Sequence, residues 1–198
     1  MITVTNRELL HGISFEDYLK MGGYSNSFLK SEVGGVSPEF IGSDAVRFGS
    51  MVDEILTEPE KVDVLDPIYP EAKEVAFTVM QFFGLELWES FESQLSFTCD
   101  LNYQGLVMPV RGRLDKYNEK GKMVIDLKIT NSKVKNIPTL VEFMGYNNQL
   151  WLYAKGVGAE KAILLFYSRP DKKTYIHIVD VSSDSNKFFE DKILMFGK

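Results

Sequence analysis

Residues 110–130 read VRGRLDKYNEKGKMVIDLKIT, two apolar runs joined by a short polar turn. Asp115 stands eleven residues ahead of the triplet Asp126-Leu127-Lys128. In a bent β-hairpin, that spacing gathers two carboxylates and an ammonium around a divalent cation. Along the first run Val107, Pro109, Arg111, Arg113 and Asp115 fall on one side of a period-2 strand, with Leu106, Met108, Val110 and Leu114 on the other. Asn118-Glu119-Lys120-Gly121 predicts the reversal, with Gly121 supplying the positive φ that a tight turn uses. Met123-Val124-Ile125 is apolar and β-branched, as in a buried strand, and alternation then carries Asp126 and Lys128 onto one face. A lone Asp-x-Lys decorates the solvated end of many strands. A second acid beside it is different, because two carboxylates held together repel unless a cation or a shared proton offsets them.

Further along, YNNQLWLYAKG places Gln149 and Tyr153 four apart on a predicted helix, so both project from one face. Leu150, Trp151 and Leu152 crowd its other faces, as in a helix packed between layers. Upstream, the pattern predicts an amphipathic segment near 14–20, a short helix over 25–32 and a stronger one over 44–57. Pro59, Pro67 and Pro70 break the next stretch into loop. Helical spacing of Val75, Val79, Phe82 and Phe83 follows over 71–90, interrupted near Gly84. Strands are expected at 91–98, 106–117 and 122–129, then a loop over 130–138 and one helix over 139–155. Two more strands, 162–167 and 174–181, flank the Arg169-Pro170-Asp171-Lys172-Lys173 turn, and a last helix covers 185–196.

Asp115, Asp126-x-Lys128 and Gln149-x-x-x-Tyr153, in this order, resemble the PD-(D/E)xK nuclease superfamily, in its RecB-like branch with the QxxxY helix. Tyr24-Ser25-Asn26-Ser27-Phe28-Leu29-Lys30, Ser37-Pro38-Glu39-Phe40, Phe48-Gly49-Ser50-Met51-Val52-Asp53-Glu54-Ile55-Leu56 and Glu58-Pro59-Glu60 are similar to the opening of RecE-type, exodeoxyribonuclease VIII-like phage exonucleases. The resemblance spans residues 24 to 182 and implies an α/β, restriction-endonuclease-like core: a central mixed β-sheet flanked by helices, after an N-terminal helical segment. Residues 1–198 are then expected to form one nuclease-like domain, with 1–60 as the helical part carrying Asp53 and 91–182 as the catalytic core. Where the family carries a His in a G-x-x-x-H motif, this chain has Asp53. Carried over, Asp53 is a candidate metal ligand or outer-sphere contact, and the alternative is an exposed helix residue at a site that has lost one ligand. A carboxylate in place of an imidazole hardens the pocket and favours Mg²⁺ or Mn²⁺ over softer ions. Glu92, at the start of the strand before the hairpin, is an accessory candidate whose face alternation does not fix.

Composition sets the remaining bounds. The 198 residues are enough for one well-buried core, and 44% hydrophobic with 25% charged residues is ordinary for a soluble globular protein. No apolar run reaches a membrane span, and residues 1–6 lack the basic start of a signal peptide, so a cytoplasmic location in a bacterial or phage-infected cell is the expectation. The single Cys99 excludes an internal disulfide and a four-cysteine iron–sulfur cluster. His11 and His177 stand apart, without ligand spacing. A net charge of −6 argues against a uniformly basic nucleic-acid surface. Between Arg111 and Lys135, however, eight basic residues face three acids, two of them proposed ligands. Local phosphate contact or a merely solvated hairpin both fit that run.

The resemblance implies metal-assisted phosphodiester hydrolysis. Asp115 and Asp126, with the Leu127 backbone carbonyl, would hold Mg²⁺, for which Mn²⁺ would substitute. Lys128 would orient the attacking water or stabilise developing charge, and Gln149 and Tyr153 would hold Lys128 and the phosphate in register. The implied activity is a DNA exonuclease acting on duplex ends, with release of 5′ nucleotides and a 3′ single strand left for an annealing partner. By analogy the enzyme would be a homo-oligomer. Two alternatives stand beside it: an inactive nuclease-like module that binds nucleic acid or protein, and a structure-specific or restriction-type endonuclease.

Overall fold

The computed structural model describes residues 1–31 and 43–198, so Ser37-Pro38-Glu39-Phe40 lies outside the described residues. In chain order the elements are β1 (Thr3–Leu10), α1 (Phe15–Lys20), β2 (Tyr24–Ser25), α2 (Asn26–Ser31), α3 (Ser43–Thr57), α4 (Tyr69–Phe83), α5 (Leu85–Glu89), β3 (Glu92–Ser93), β4 (Ser96–Tyr103), β5 (Leu106–Arg113) and β6 (Lys116–Asn118). After the hairpin turn come β7 (Met123–Thr130), α6 (Ile137–Met144), α7 (Tyr146–Val157), β8 (Lys161–Ser168), β9 (Lys173–Val179) and α8 (Lys187–Phe196). The fold is mixed α/β, with two mixed sheets flanked by helices, as expected for the fold class.

The strands form two sheets rather than one, a four-stranded β1-β4-β5-β2 and a five-stranded β3-β6-β7-β8-β9. The division comes from a bend shared by two long strands. Ser96 pairs with Arg113 in the first sheet, whereas Ser93 pairs with Lys116 in the second. Between these pairs Gln94 takes a left-handed φ of 55°, which a non-glycine residue adopts only where surrounding contacts hold it. The Leu114 N–H donates to the Leu95 carbonyl at 2.8 Å, and the Gln94 N–H to the Asp115 carbonyl at 3.1 Å. Both strands therefore cross between sheets at one level, and Asp115 sits at the crossing. The strands expected at 91–98 and 106–117 are each cut in two by it.

Helix α7 fills the space between the sheets, buried at every residue from Leu150 through Ala154. On β7, Val124 faces this core while Ile125 and Leu127 face a second core under α3 and α4. Alternation then turns Asp126 and Lys128 toward α7. β7 and β8 run parallel, joined by the crossover through α6 and α7, as a parallel pair requires. Phe97 of β4 locks α7 to the four-stranded sheet. Its ring occupies the space above two glycines: a Cβ on Gly156 would stand 2.1 Å from it and one on Gly112 2.3 Å.

Other elements depart from expectation for local reasons. The N-terminal part opens with a strand, β1, whose register shifts between Thr5 and Glu8, where Asn6 has a φ of 51°. Pro70 lies in the first turn of α4 rather than in loop, where its missing N–H costs nothing. Gly145, with a φ of 61°, splits the expected helix over 139–155 into α6 and α7. In the hairpin turn Lys122 takes the positive φ, 47°, and not Gly121, whose N–H is held by the Asn118 Oδ1.

Candidate active site

The crossing of the strands opens onto a cleft of about 530 Å³, lined by Asp53, Asp115 and Tyr153, with Asn26, Glu54 and Glu58. Asp126, 2% exposed, lies behind it with Lys128. β6 stops pairing with β7 at Ile125, and beyond that point the Asp115 side chain takes the place of a strand: its Oδ2 accepts the Leu127 N–H at 2.7 Å. On the α7 side, Gln149 Nε2 donates to Asp126 Oδ1 at 3.1 Å and to the Tyr153 hydroxyl at 3.0 Å. The Lys128 ammonium forms an ion pair with Asp126 Oδ2. Tyr153 is held edge-on to Phe97, with ring centroids 6.1 Å apart. Gln149 therefore bonds the Asp126 carboxylate directly and reaches Lys128 only through it.

Asp53 is no exposed helix residue. It lies in the cleft one turn after Gly49, whose missing side chain faces Ile129 of β7, so α3 carries its acid against the strand that bears Asp126. Gln94 Nε2 approaches Asp53 Oδ2 at 3.4 Å and Thr57 Oγ1 at 3.0 Å, and Gln94 Oε1 accepts from Arg113 Nε at 2.8 Å. The Asp53 Oδ1 is buried without a hydrogen-bond partner. Gln94 is a site residue that sequence alone did not supply. Its neighbour Glu92 was the candidate, but the positive φ at Gln94 breaks the alternation. Glu92 instead meets His11 Nδ1 at 2.8 Å, away from the carboxylates.

Two acids of the cleft, Asp53 and Asp115, are held above the ordinary carboxylate range. Burial pushes Asp115 well above the usual carboxylate range, and Asp53 and Asp126 push it further. Burial also raises Asp53, to about 6; the Lys128 ammonium opposes that rise while Asp126, Glu58 and Glu54 add to it. Lys128 behaves in the opposite sense. Burial works against its charge, yet Asp126 and Asp115 overcome this and hold it protonated, its pKa above the ordinary lysine value. Burial, with Asp126 beside it, keeps the Tyr153 hydroxyl protonated.

Among the described residues no three His, Cys, Asp or Glu side chains form a ready-made metal cage. The donor chemistry nonetheless fits a hard divalent cation. The cleft is lined by oxygen donors, carboxylates of Asp53, Glu54, Glu58 and Asp115 among them, with no His or Cys; the Asp53 Oδ1 is unpartnered, and burial and neighbouring acids raise the pKa of Asp53 and Asp115. Added positive charge opposes that rise. The basic run is largely committed elsewhere. The Arg111 Nη1 donates to the carbonyls of Tyr18 and Leu19 at the end of α1, at 3.2 and 3.0 Å, and the Arg113 Nη1 to Ile13 at 3.1 Å. Lys116 Nζ donates to Ser93 Oγ at 2.8 Å, and Lys122 Nζ pairs with Glu160 at 2.6 Å.

No family model matches the chain, and no curated protein matches it. Among solved structures it is similar to SSO0001, at 19% identity and a TM-score of 0.40, over 94% of this chain and 88% of that one. It is similar also to a phage-related exonuclease from Haemophilus somnus 129PT, at 16% identity and a TM-score of 0.40, over 94% of this chain and 90% of that one. A shorter likeness, to Scheffersomyces stipitis Rai1 in complex with (3′-NADP)⁺ and calcium ion, has 16% identity and a TM-score of 0.32, over 52% of this chain and 32% of that one. No helix among the described residues is long and apolar enough to cross a membrane.

Proposed function

We propose that this chain is a divalent-cation-dependent nuclease, and more finely a DNA exonuclease that hydrolyses phosphodiester bonds from duplex ends in phage or prophage recombination. One observation carries the reading. Asp53 and Asp115 line one cleft with Asp126 and Lys128 behind it, and burial together with Asp126 raises the pKa of both cleft acids while Lys128 stays charged. Asp53, Asp115 and Asp126, with the Leu127 carbonyl, would hold Mg²⁺ or, in its place, Mn²⁺. Such a cation, when bound, polarises the scissile phosphate and lowers the pKa of a water.

The chain's own groups do the rest. Lys128, kept protonated by its buried partners, is a donor for the charge that builds on the phosphate oxygens. Gln149 holds Asp126 and Tyr153 with one amide, so the carboxylate and the phenol keep a fixed separation on a buried helix. Gln94 spans Asp53 and Arg113, tying the acid of α3 to the bend that carries Asp115. Duplex DNA as partner, a single-strand annealing protein, a homo-oligomer and a cytoplasmic setting belong to the same proposal.

The test is incubation of linear and closed circular duplex with Mg²⁺, for wild type and Asp126→Ala. Loss of the linear form alone, abolished by the substitution, is the expected result. Cutting of the circle points to an endonuclease, and no loss of either form in Mg²⁺ or Mn²⁺ rejects the nuclease. A binding module without activity is the second reading. What favours it is that Asp126 is already engaged on both oxygens, by Gln149 and by Lys128.

A further inference from the structure

Helix α2 brings to the same site a lysine that the mechanism above does not use. Asn26 and Lys30 stand one turn apart on α2 and share a face. Asn26 is 4% exposed, lines the cleft, and has a buried Oδ1 without a hydrogen-bond partner. One turn on, the Lys30 Nζ lies over the Tyr146 ring, 5.5 Å from its centroid. The Lys128 Nζ lies over the same ring at 5.2 Å. Two ammonium groups thus converge on one aromatic ring, next to the carboxylates that would hold the cation. The Lys30 stem is steered there past the α6–α7 junction, where a Cβ on Gly145 would stand 3.8 Å from its Cε.

The two lysines differ in one respect. Lys128 is matched by Asp126, whereas among the described residues no carboxylate forms an ion pair with Lys30. Burial and the neighbouring Lys128 both push the Lys30 pKa down, and Asp126 opposes them. An ammonium kept half-buried beside a like charge, with no ion-paired carboxylate among the described residues, gains from an anion that joins it. An ammonium is a compact point charge suited to one phosphate oxygen, and Asn26 continues its line into the cleft with an open polar atom.

We propose that Lys30, with Asn26 beside it, binds a phosphate of the nucleic-acid strand adjacent to the phosphate that is cut. The inference rests on the nuclease reading and adds to it the path of the strand, from the carboxylates along α2 to Tyr146. The anion is either an internal phosphodiester or a terminal phosphomonoester, both of which present anionic non-bridging oxygens to an ammonium.

The experiment is binding of a labelled short DNA strand in Ca²⁺ across a salt series, for wild type, Lys30→Gln and Lys30→Arg, with end-phosphorylated and end-hydroxyl strands. Lys30→Gln is expected to weaken binding and to lower the slope of log affinity against log salt by roughly 0.7 to 0.9, the value of one phosphate contact. Lys30→Arg should keep the slope. A loss confined to the phosphorylated strand identifies a terminal phosphate, and a loss on both an internal one. Melting curves run alongside separate this from misfolding. Should Lys30→Gln not fold, wild type is titrated with strands in which one linkage at a time is a neutral methylphosphonate, and a single linkage beyond the cut should carry the same loss of slope. If wild type binds but neither Lys30→Gln nor any one linkage changes the slope, the role of Lys30 is overturned and the nuclease reading stands. If wild type binds no strand, both fall.

Discussion

The two sheets share one continuous hairpin, yet they meet water differently. In the five-stranded sheet β7 and β8 are covered on both faces: Val124, Ala162, Leu164 and Phe166 pack toward α7, and Ile125, Leu127, Leu165 and Tyr167 toward α3 and α4. The four-stranded sheet packs Phe97, Cys99 and Leu101 inward and leaves Thr98, Asp100 and Asn102 half-exposed on its other face. Charge follows this difference. On the covered sheet Asp126 and Lys128 neutralise each other, while on the open one the guanidinium of Arg111 turns to the last carbonyls of α1. Where water is excluded a charge persists only if it is countered, so reactive groups can be held there at pKa values water would not permit.

Removing one partner of the covered pair is the strongest way to break the comparison. Lys128→Met leaves Asp126 buried and uncompensated, and is expected to cost about 3–5 kcal/mol in denaturant unfolding as well as all activity. Arg111→Met, on the open sheet, removes hydrogen bonds from a charged donor and should cost about 1–3 kcal/mol. Equal losses would mean that coverage of the sheet does not set the cost of charge.

Asp53 sharpens the comparison through pH. Its folded pKa of about 6 lies above the ordinary 3.8. The stability it contributes is therefore complete below pH 4 and is lost as pH rises through about 6, up to about 3 kcal/mol for a shift of this size. Without divalent ions, Asp53→Asn should flatten the fall in melting temperature between pH 4 and 7 and stabilise the protein at pH 7. Mg²⁺ should raise the melting temperature of wild type more at pH 8 than at pH 5, and that of Asp53→Asn less at both. Parallel pH curves for the two proteins would remove Asp53 from the set of buried acids.

The seam between the sheets gives the next effect. Gly156→Ala drives a methyl into the Phe97 ring and should cost about 1–3 kcal/mol, part of which Phe97→Leu in the same chain should restore. The smallest change is expected from Glu92→Ala. Its carboxylate faces His11 at the surface, so stability should move by no more than about 0.5 kcal/mol and nuclease rates should stay level.

Much of the site was legible because its residues obey simple periods. Asp126 and Lys128 alternate on a strand whose apolar partners declare the opposite face, and Gln149 and Tyr153 are one helical turn apart. What escaped sequence reasoning lies where a period breaks. Gln94 is turned into the site by a left-handed φ that no glycine announces, and β1 loses its alternation at the bulge beside Asn6. The partner of β1 is β4, some ninety residues away, so no local pattern marks it. The separation into two sheets has another origin, since it depends on both arms of one hairpin bending at one level, which alternation within either arm does not announce. The two-residue reversal at Gln104-Gly105, with φ of 51° and 82°, offered a local signal in its glycine.

The bond from the Leu127 N–H to the Asp115 carboxylate turns a main-chain atom of the central strand into a reporter. An amide proton that donates to a carboxylate shifts its resonance when that carboxylate gains a proton or a cation. In an isotope-labelled sample, the Leu127 amide signal would therefore follow the charge on Asp115 directly, without substrate and without altering a residue of the site.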